Sequence, residues 1–412
     1  MHRRLCVIAQ ALLFLAGSSC AFSATVVRVA LLTPLSGSMA LQGESVSRQL
    51  HAAADDINEQ GGLFGGARLE IVDYDDQLSP QQGLVALQSA IGQGISYITQ
   101  GIGSNVGLAL SDGIAKHNSR NSRQPVLFLN YGGLDPEMTN SKCQFWHFRF
   151  DAHSDMRAIA LAEYLRKQPA IRKIYLINQD YAWGQSVSRA ARQSITARRP
   201  DVAIVGDDLH PLAKVKDFAP YIAKIRAAGA DAVVTGNWGS DLSLLVRAGR
   251  EAGLDVRYFV LGTALKGLPT IVGRSGEENL KVIVPWVRDA ADARSAQFAD
   301  DFKRKTGDDW SFEQLRHMLR LLTAATMQAQ SVEPLDVARA LEDLRIAGDT
   351  GELWMRAQDH QLFSPLFVAT LARSGTRGVA HDWENSGYGW RADATVDPES
   401  FRVPTTCTMS RP

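Results

Sequence analysis

"ALLTPLSGSMALQGES", residues 30–45, ends an apolar strand pattern, turns through Gly37 and Gly43, and enters a helical one. A glycine-rich turn between strand and helix can hold a phosphate, a dinucleotide or a carboxylate, because the first N–H groups of a helix have no partner within it. A Walker phosphate loop has four residues between its glycines, then Lys and Ser or Thr. Here five residues separate Gly37 from Gly43, and Glu44 follows with a carboxylate that repels phosphate. The stretch reads as a turn from strand to helix, and the rest of the chain repeats that pattern.

Short apolar, β-branched runs are expected to be strands at 26–33, 68–73, 96–100, 126–130, 173–178, 202–206, 232–235, 258–261 and 281–284. Between them lie segments of helical period, among them 43–59, 80–92, 104–117, 154–167, 185–198, 214–228 and 241–252. Such alternation builds parallel sheets covered by helices on both faces, with ligands beyond the carboxyl ends of the strands. The rhythm pauses at 131–155 and changes after Pro285, where helices at 296–305, 312–330 and 335–344 follow one another. Strand-like runs return at 352–356 and 367–371, and from Arg373 the chain is rich in Gly, Pro, Ser and aromatic residues. The expected architecture is α/β with two lobes, each a mostly parallel sheet flanked by helices, joined by a hinge that the chain crosses more than once. Lobe 1 takes 25–146 and 283–350, lobe 2 takes 147–282 and 351–385, and 386–412 forms a C-terminal tail.

The first 24 residues stand apart. Arg3 and Arg4 precede an apolar run from Leu5 to Ala16 and then the small, polar "GSSCAFSA". Those are the three regions of a secretory signal peptide, cleaved within 21–24, and the run is too short for an ordinary membrane span. Cys20 lacks the leucine three residues earlier that lipidation favours. Cys143 and Cys407 remain in the mature chain, and an oxidising compartment suggests one disulfide between them; two buried free thiols are the alternative. The 44 basic side chains less Arg3 and Arg4 leave 42 against 44 acidic ones, with no basic stripe for nucleic acid.

"QGIGSNVG", 100–107, is close to a dinucleotide fingerprint, but the next strand ends in Asn130 rather than the acid that holds a ribose. The same turn suits a carboxylate, received by free N–H groups near Ser104 and Asn105 and by the Ser104 hydroxyl at the positive end of a helix. Asp73, Asp75 and Asp76 do not match a calcium loop and read as solvated acids at a strand end. His147 and His153 are not spaced as a zinc pair and read as packing or polar loop residues, so no metal is expected. No G-x-S-x-G elbow or H-E-x-x-H is present. Tyr181, Trp183 and Trp238 follow strand ends, where aromatic side chains can wall a small-molecule pocket.

With these pieces in order, the chain resembles the periplasmic solute-binding proteins of branched-chain amino acid ABC transporters, the leucine/isoleucine/valine-binding family with the type I periplasmic binding fold. The likeness is densest in "LLTPLSGSMALQGES", "AAADDINEQGGLFGGARLEIVDYDD", "DPEMT" and "VKDFAPYIAKIRAAGADAVVTGNW". It implies a periplasmic, monomeric binder that closes on a small-molecule solute and presents it to a membrane permease, with no cofactor and no nucleic acid. A ligand-sensing module feeding a membrane receptor is one alternative, and an exported α/β enzyme another.

By position, Ser104 matches the family's serine for the ligand carboxylate, Gly132 and Gly133 match main-chain contacts, and Gln42 falls where a tyrosine is common. Leu134 stands in place of a threonine beside the ligand's amino group, and Thr263 in place of the glutamate for the ammonium. Trp183 and Trp238 replace tyrosines. An ammonium buried without its carboxylate partner loses roughly 3–5 kcal/mol, two to three decades of affinity. Asp241 and Glu251 are the acids that can substitute. The expected solute has a carboxylate and an apolar or aromatic body, without an amine.

Overall fold

The structure is a computed structural model, and it describes residues 25–262 and 265–412. The expected signal peptide and Thr263 lie outside them. The chain opens with β1 (Val26–Thr33), α1 (Ala40–Glu59), β2 (Arg68–Asp75), α2 (Pro80–Gly92), β3 (Tyr97–Gln100), α3 (Ser104–Arg120), β4 (Leu127–Asn130) and β5 (His147–Arg149). A second run follows with α4 (Ser154–Leu165), β6 (Lys173–Gln179), α5 (Ala182–Arg198), β7 (Ala203–His210) and α6 (Ala219–Ala227). It continues through β8 (Ala232–Thr235), α7 (Gly239–Glu251), β9 (Arg257–Val260), α8 (Leu268–Gly276) and β10 (Leu280–Val284). Then come α9 (Ala293–Thr306), α10 (Glu313–Ala329), α11 (Pro334–Leu341), β11 (Arg345–Ala347), β12 (Glu352–Arg356) and β13 (Gln361–Phe363). The last strands are β14 (Leu366–Arg373) and β15 (Tyr388–Val396).

Two sheets result, ordered β11-β12-β13-β5-β4-β3-β1-β2 and β15-β14-β10-β9-β8-β6-β7. The early strands of each pair in parallel, whereas β11–β12, β12–β13, β10–β14 and β14–β15 pair antiparallel. Every residue of β3, β4 and β8 is buried, as strands covered by helices on both faces must be. Gly43 lets α1 lie against the end of β1, since a Cβ there would stand 1.9 Å from the Pro34 carbonyl oxygen. The glycine of the opening stretch therefore serves close packing of helix on strand.

The lobe boundaries differ from those expected at four places. β5 (147–149), placed in lobe 2, joins the first sheet, and 283–284, placed in lobe 1, belong to β10 of the second. Residues 352–363 were placed in lobe 2, but β12 and β13 extend the first sheet, β13 pairing with β5 through Gln361 and Arg149. The tail begun at 386 instead contributes β15 to the second sheet. Its aromatic and charged residues hid a strand that β14 pairs along its whole length, with a bulge at Val368/Ala369.

The chain passes between the sheets after β5, after β10 and after β13. The C-terminal segment makes a further connection: Phe401 is buried in the second lobe's core, while Thr405 donates to the Thr139 carbonyl at 2.9 Å. Cys407 is disulfide-bonded to Cys143, which fastens the segment to the first lobe.

Candidate functional site

The carboxyl ends of the parallel strands in both sheets meet at a cavity with about 600 Å³ of space, part of it open to solvent. From the first lobe, the turn after β3 supplies Gly101–Ser104, the turn after β4 supplies Tyr131, Gly132 and Leu134, and Phe312 and Gln314 come from the start of α10. From the second, Tyr181 and Trp183 follow β6, Gly236 and Trp238 follow β8, and Gly262 and Leu265 follow β9. Asp151 comes from the first crossover. Five aromatic rings, Tyr131, Tyr181, Trp183, Trp238 and Phe312, make the wall.

The rings are held by their own polar edges. The Trp238 Nε1–H donates to the Tyr181 hydroxyl at 2.8 Å, and the Trp183 Nε1–H to the Gly236 carbonyl at 2.8 Å. Burial drives the Tyr131 and Tyr181 hydroxyls above their ordinary range, so both stay neutral. Gly103 caps α3 with φ +89°, a conformation that favours glycine, and turns the chain so that Ser104 begins the helix at the cavity wall. The positive end of a 17-residue helix and its unpaired N–H groups therefore face the same space as the Ser104 side chain.

Asp151 is the one acidic side chain among the described lining residues, and it is engaged. Its Oδ1 accepts from the Ala152 N–H at 2.7 Å and from Arg157 at 2.6 Å, and its Oδ2 from Arg157 at 2.8 Å. Burial outweighs the neighbouring guanidinium and raises the carboxyl above its usual range. Above the cavity the lobes touch: Gln42 Nε2 donates to the Lys266 carbonyl at 3.0 Å, and Asp308 joins Lys266 to Arg48, the latter at 2.8 Å.

The family model described as "Periplasmic binding protein" matches residues 26–376. The chain belongs to the periplasmic binding protein family. This binding protein is 32% identical to the Leu/Ile/Val-binding protein homolog 4 of Brucella melitensis biotype 1, over 98% of this chain and 97% of that protein. Its fold matches the closed conformation of the leucine-, isoleucine-, valine-, threonine-, and alanine-binding protein from Brucella ovis, with 30% identity and a TM-score of 0.85. That match covers 94% of this chain and all of the other. A solute-binding protein of an ABC transporter from R. palustris, solved in complex with benzoate, shares the fold alone at 18% identity and a TM-score of 0.74, covering 93% and 99% of the two chains. The resemblance to the leucine/isoleucine/valine-binding family and the type I fold thus holds across the chain. Its family and relatives are solute-binding proteins.

Within the binding protein, six of the expected site residues line the cavity: Ser104, Gly132, Leu134, Tyr181, Trp183 and Trp238. Asn105 does not, because it lies on the exposed face of α3. Gln42 lines the adjoining groove and spends its amide on Lys266. The main-chain donors expected at Gly132 and Gly133 are taken: both N–H groups donate to Asn130 Oδ1, at 3.1 and 2.7 Å. The Gly133 carbonyl accepts from Asn130 Nδ2 and from Arg149, each within 3.2 Å. Asn130 and the buried Arg149 therefore shape this loop. Asp241 is fully buried and bound by Gln179 and the Ala213 N–H, each at 2.8 Å, and Glu251 is exposed at the far end of α7; neither lines the cavity.

The sequence reading missed Ile102, Tyr131, Asp151, Leu265, Phe312 and Gln314. Tyr131 was within reach, being the residue after β4. Phe312 and Gln314 carry no local signal, since α10 is brought to the cleft by its packing on α1 and α11. His147 and His153 are buried packing residues, the latter accepting the Asp155 N–H to cap α4.

Asp76 was read as solvated, yet it is fully buried beneath the Ser104 turn. Burial pushes its carboxyl up to about 7, with Gln100 among its hydrogen-bonding neighbours. Gln100 Nε2 in turn donates to the Ile102 carbonyl at 2.5 Å, so this pair underlies the turn. A folded-state value above the unfolded one means the native state holds the proton more tightly. Stability should therefore fall as pH rises from about 4 to about 7, by up to about 1 kcal/mol per pH unit from this group. Urea midpoints measured from pH 5 to 8 should show that slope, reinforced by buried Glu313, which burial raises to about 8. Asp76→Asn should reduce it to the part that Glu313 contributes; an unchanged slope would show that Asp76 adds nothing to it.

Proposed function

We propose that this protein is the periplasmic substrate-binding component of an ABC uptake transporter, exported by its leader and working as a monomer with a membrane permease. We further infer that its solute is a small carboxylate with an apolar or aromatic body and no amine. The lining of the cavity carries this reading. An aromatic box meets a helix N-terminus with its serine, and the one acid among the described lining residues is already neutralised by Arg157. A carboxylate finds donors at Ser104, whereas an ammonium finds no unpaired anion, and Leu134 offers it no oxygen. In the sequence, Thr263 stands where relatives of the amino acid-binding type place their glutamate.

A standard aliphatic amino acid is the competing solute, favoured by the names of the Brucella relatives. Ser104→Ala tests the cradle common to both. It removes one hydrogen bond to a charged group, so affinity for the bound acid should fall about tenfold with melting unchanged. Undiminished affinity would place the carboxylate elsewhere.

A further inference from the structure

Gln314 and Tyr131 are the two polar residues of the cavity wall with a buried side-chain oxygen that has no partner among the described residues, and of the two only Gln314 carries a donor and an acceptor as separate side-chain groups. It is the second residue of α10, 1% exposed, and it stands beside Phe312 in the cavity wall. Its neighbours in sequence are spoken for: Glu313 accepts from the Trp310 indole at 2.6 Å and from Arg316 at 3.3 Å. Gln314 Oε1, by contrast, is shut off from solvent and has no donor among the described residues. A buried amide oxygen left unpaired is costly, and a ligand donor that reaches it recovers that cost.

We propose that Gln314 is a specificity-determining residue that hydrogen-bonds a hydroxyl on the apolar body of the bound carboxylate. The inference rests on the carboxylate reading above and names the second polar group of the solute. A hydroxyl fits because it is neutral and can both donate to the amide oxygen and accept from the amide nitrogen, whichever way the carboxamide is turned. An ammonium in the same place would be a desolvated charge facing a neutral dipole. The lobe 1 wall carries two aromatic rings, with Tyr131 set edge-on to Phe312 at 6.3 Å between ring centroids, and Ile102 and Leu134 add apolar surface. The hydroxyl is thus read on a flat apolar body, while Ser104 and the helix end read the carboxylate.

The test is calorimetric titration of the oxidised mature protein with benzoate and its three monohydroxy isomers, with leucine alongside. At least one hydroxy isomer should bind about tenfold more tightly than benzoate, a difference of about 1.4 kcal/mol. In Gln314→Leu and in Gln314→Met, which keeps the length of the side chain, that ratio should collapse to within about twofold. A wild type that binds benzoate and every hydroxy isomer equally would overturn the assignment on its own, whatever the variants do. So would a preference that survives in both variants while they melt as the wild type does. If leucine binds and none of the four acids does, the amine-free reading itself fails, and the role of Gln314 falls with it.

Discussion

Arg157→Met should lower the free energy of unfolding by about 3–5 kcal/mol, the largest effect expected of any single substitution in this protein. Arg157 is fully buried on α4 and bonds two separate segments. Its Nε–H donates to the Ala152 carbonyl at 2.9 Å, one terminal nitrogen donates to the Ile283 carbonyl, and the other holds both oxygens of Asp151. Ala152 and Asp151 lie on the first crossover, and Ile283 is on β10 just before the second. One guanidinium therefore fastens two hinge strands to each other and to the cavity wall. Methionine keeps the bulk but strands the Asp151 carboxylate and two carbonyls without their donor. The companion Asp151→Leu/Arg157→Met should be less destabilised than Arg157→Met, because no buried charge is left unpaired. Chemical unfolding of the three variants reads this directly. If the double variant is the least stable, the pair is worth more than its desolvation and the reasoning is wrong.

Trp238→Ala should weaken solute binding by about 2–3 kcal/mol, roughly thirty- to over a hundredfold, while the lobes remain folded. The indole leans on both core clusters and is only partly buried, so its removal empties a wall of the cavity without opening the core. It also frees the Tyr181 hydroxyl, which then loses its donor and its fixed position. The backbone at this point is kept in place from behind by Gln179, whose amide donates to the Trp238 carbonyl at 3.2 Å and to Asp241 at 2.8 Å. Truncation of the ring thus leaves the turn where it is. Trp238→Phe should recover most of the affinity through the retained ring face. Equal binding by Trp238→Ala and the wild type would move the site away from this cleft.

Much of this fold is legible because buried parallel strands must be apolar runs and their covering helices must be amphipathic. The patterns at 26–33, 173–178 and 232–235 follow from that alone, and the ends of those strands point to the turns that line the cavity. What sequence does not disclose are elements whose identity is decided by partners. β5, β11 and β13 have three residues each, too few for any period, and become strands only because a neighbouring strand pairs with them. β15, YGWRADATV, mixes aromatic, small and charged residues without a clean apolar alternation, so sequence alone assigns it to a tail. The same logic separates Ser104 from Gln314. Ser104 sits in a glycine turn with a recognisable chemistry, whereas Gln314 is a helix residue brought to the cleft by packing more than two hundred positions away. Gly132 lies in the cavity wall and Gly133 does not, and the N–H groups of both are consumed by Asn130, a competition no local pattern reveals.

The proposed solute carries no amine, because the described lining of the cleft offers an ammonium no free anion, and one measurement tests this most directly. Mature, oxidised protein is melted with two panels, the branched-chain amino acids and amine-free aromatic or aliphatic carboxylates. A ligand at about 100 times its dissociation constant should add about 2.7 kcal/mol of stability, a clear upward shift. Stabilisation by amine-free acids, with leucine, isoleucine and valine inert, is the predicted result. Stabilisation by leucine or valine would show that an ammonium is accommodated after all, and would contradict the account.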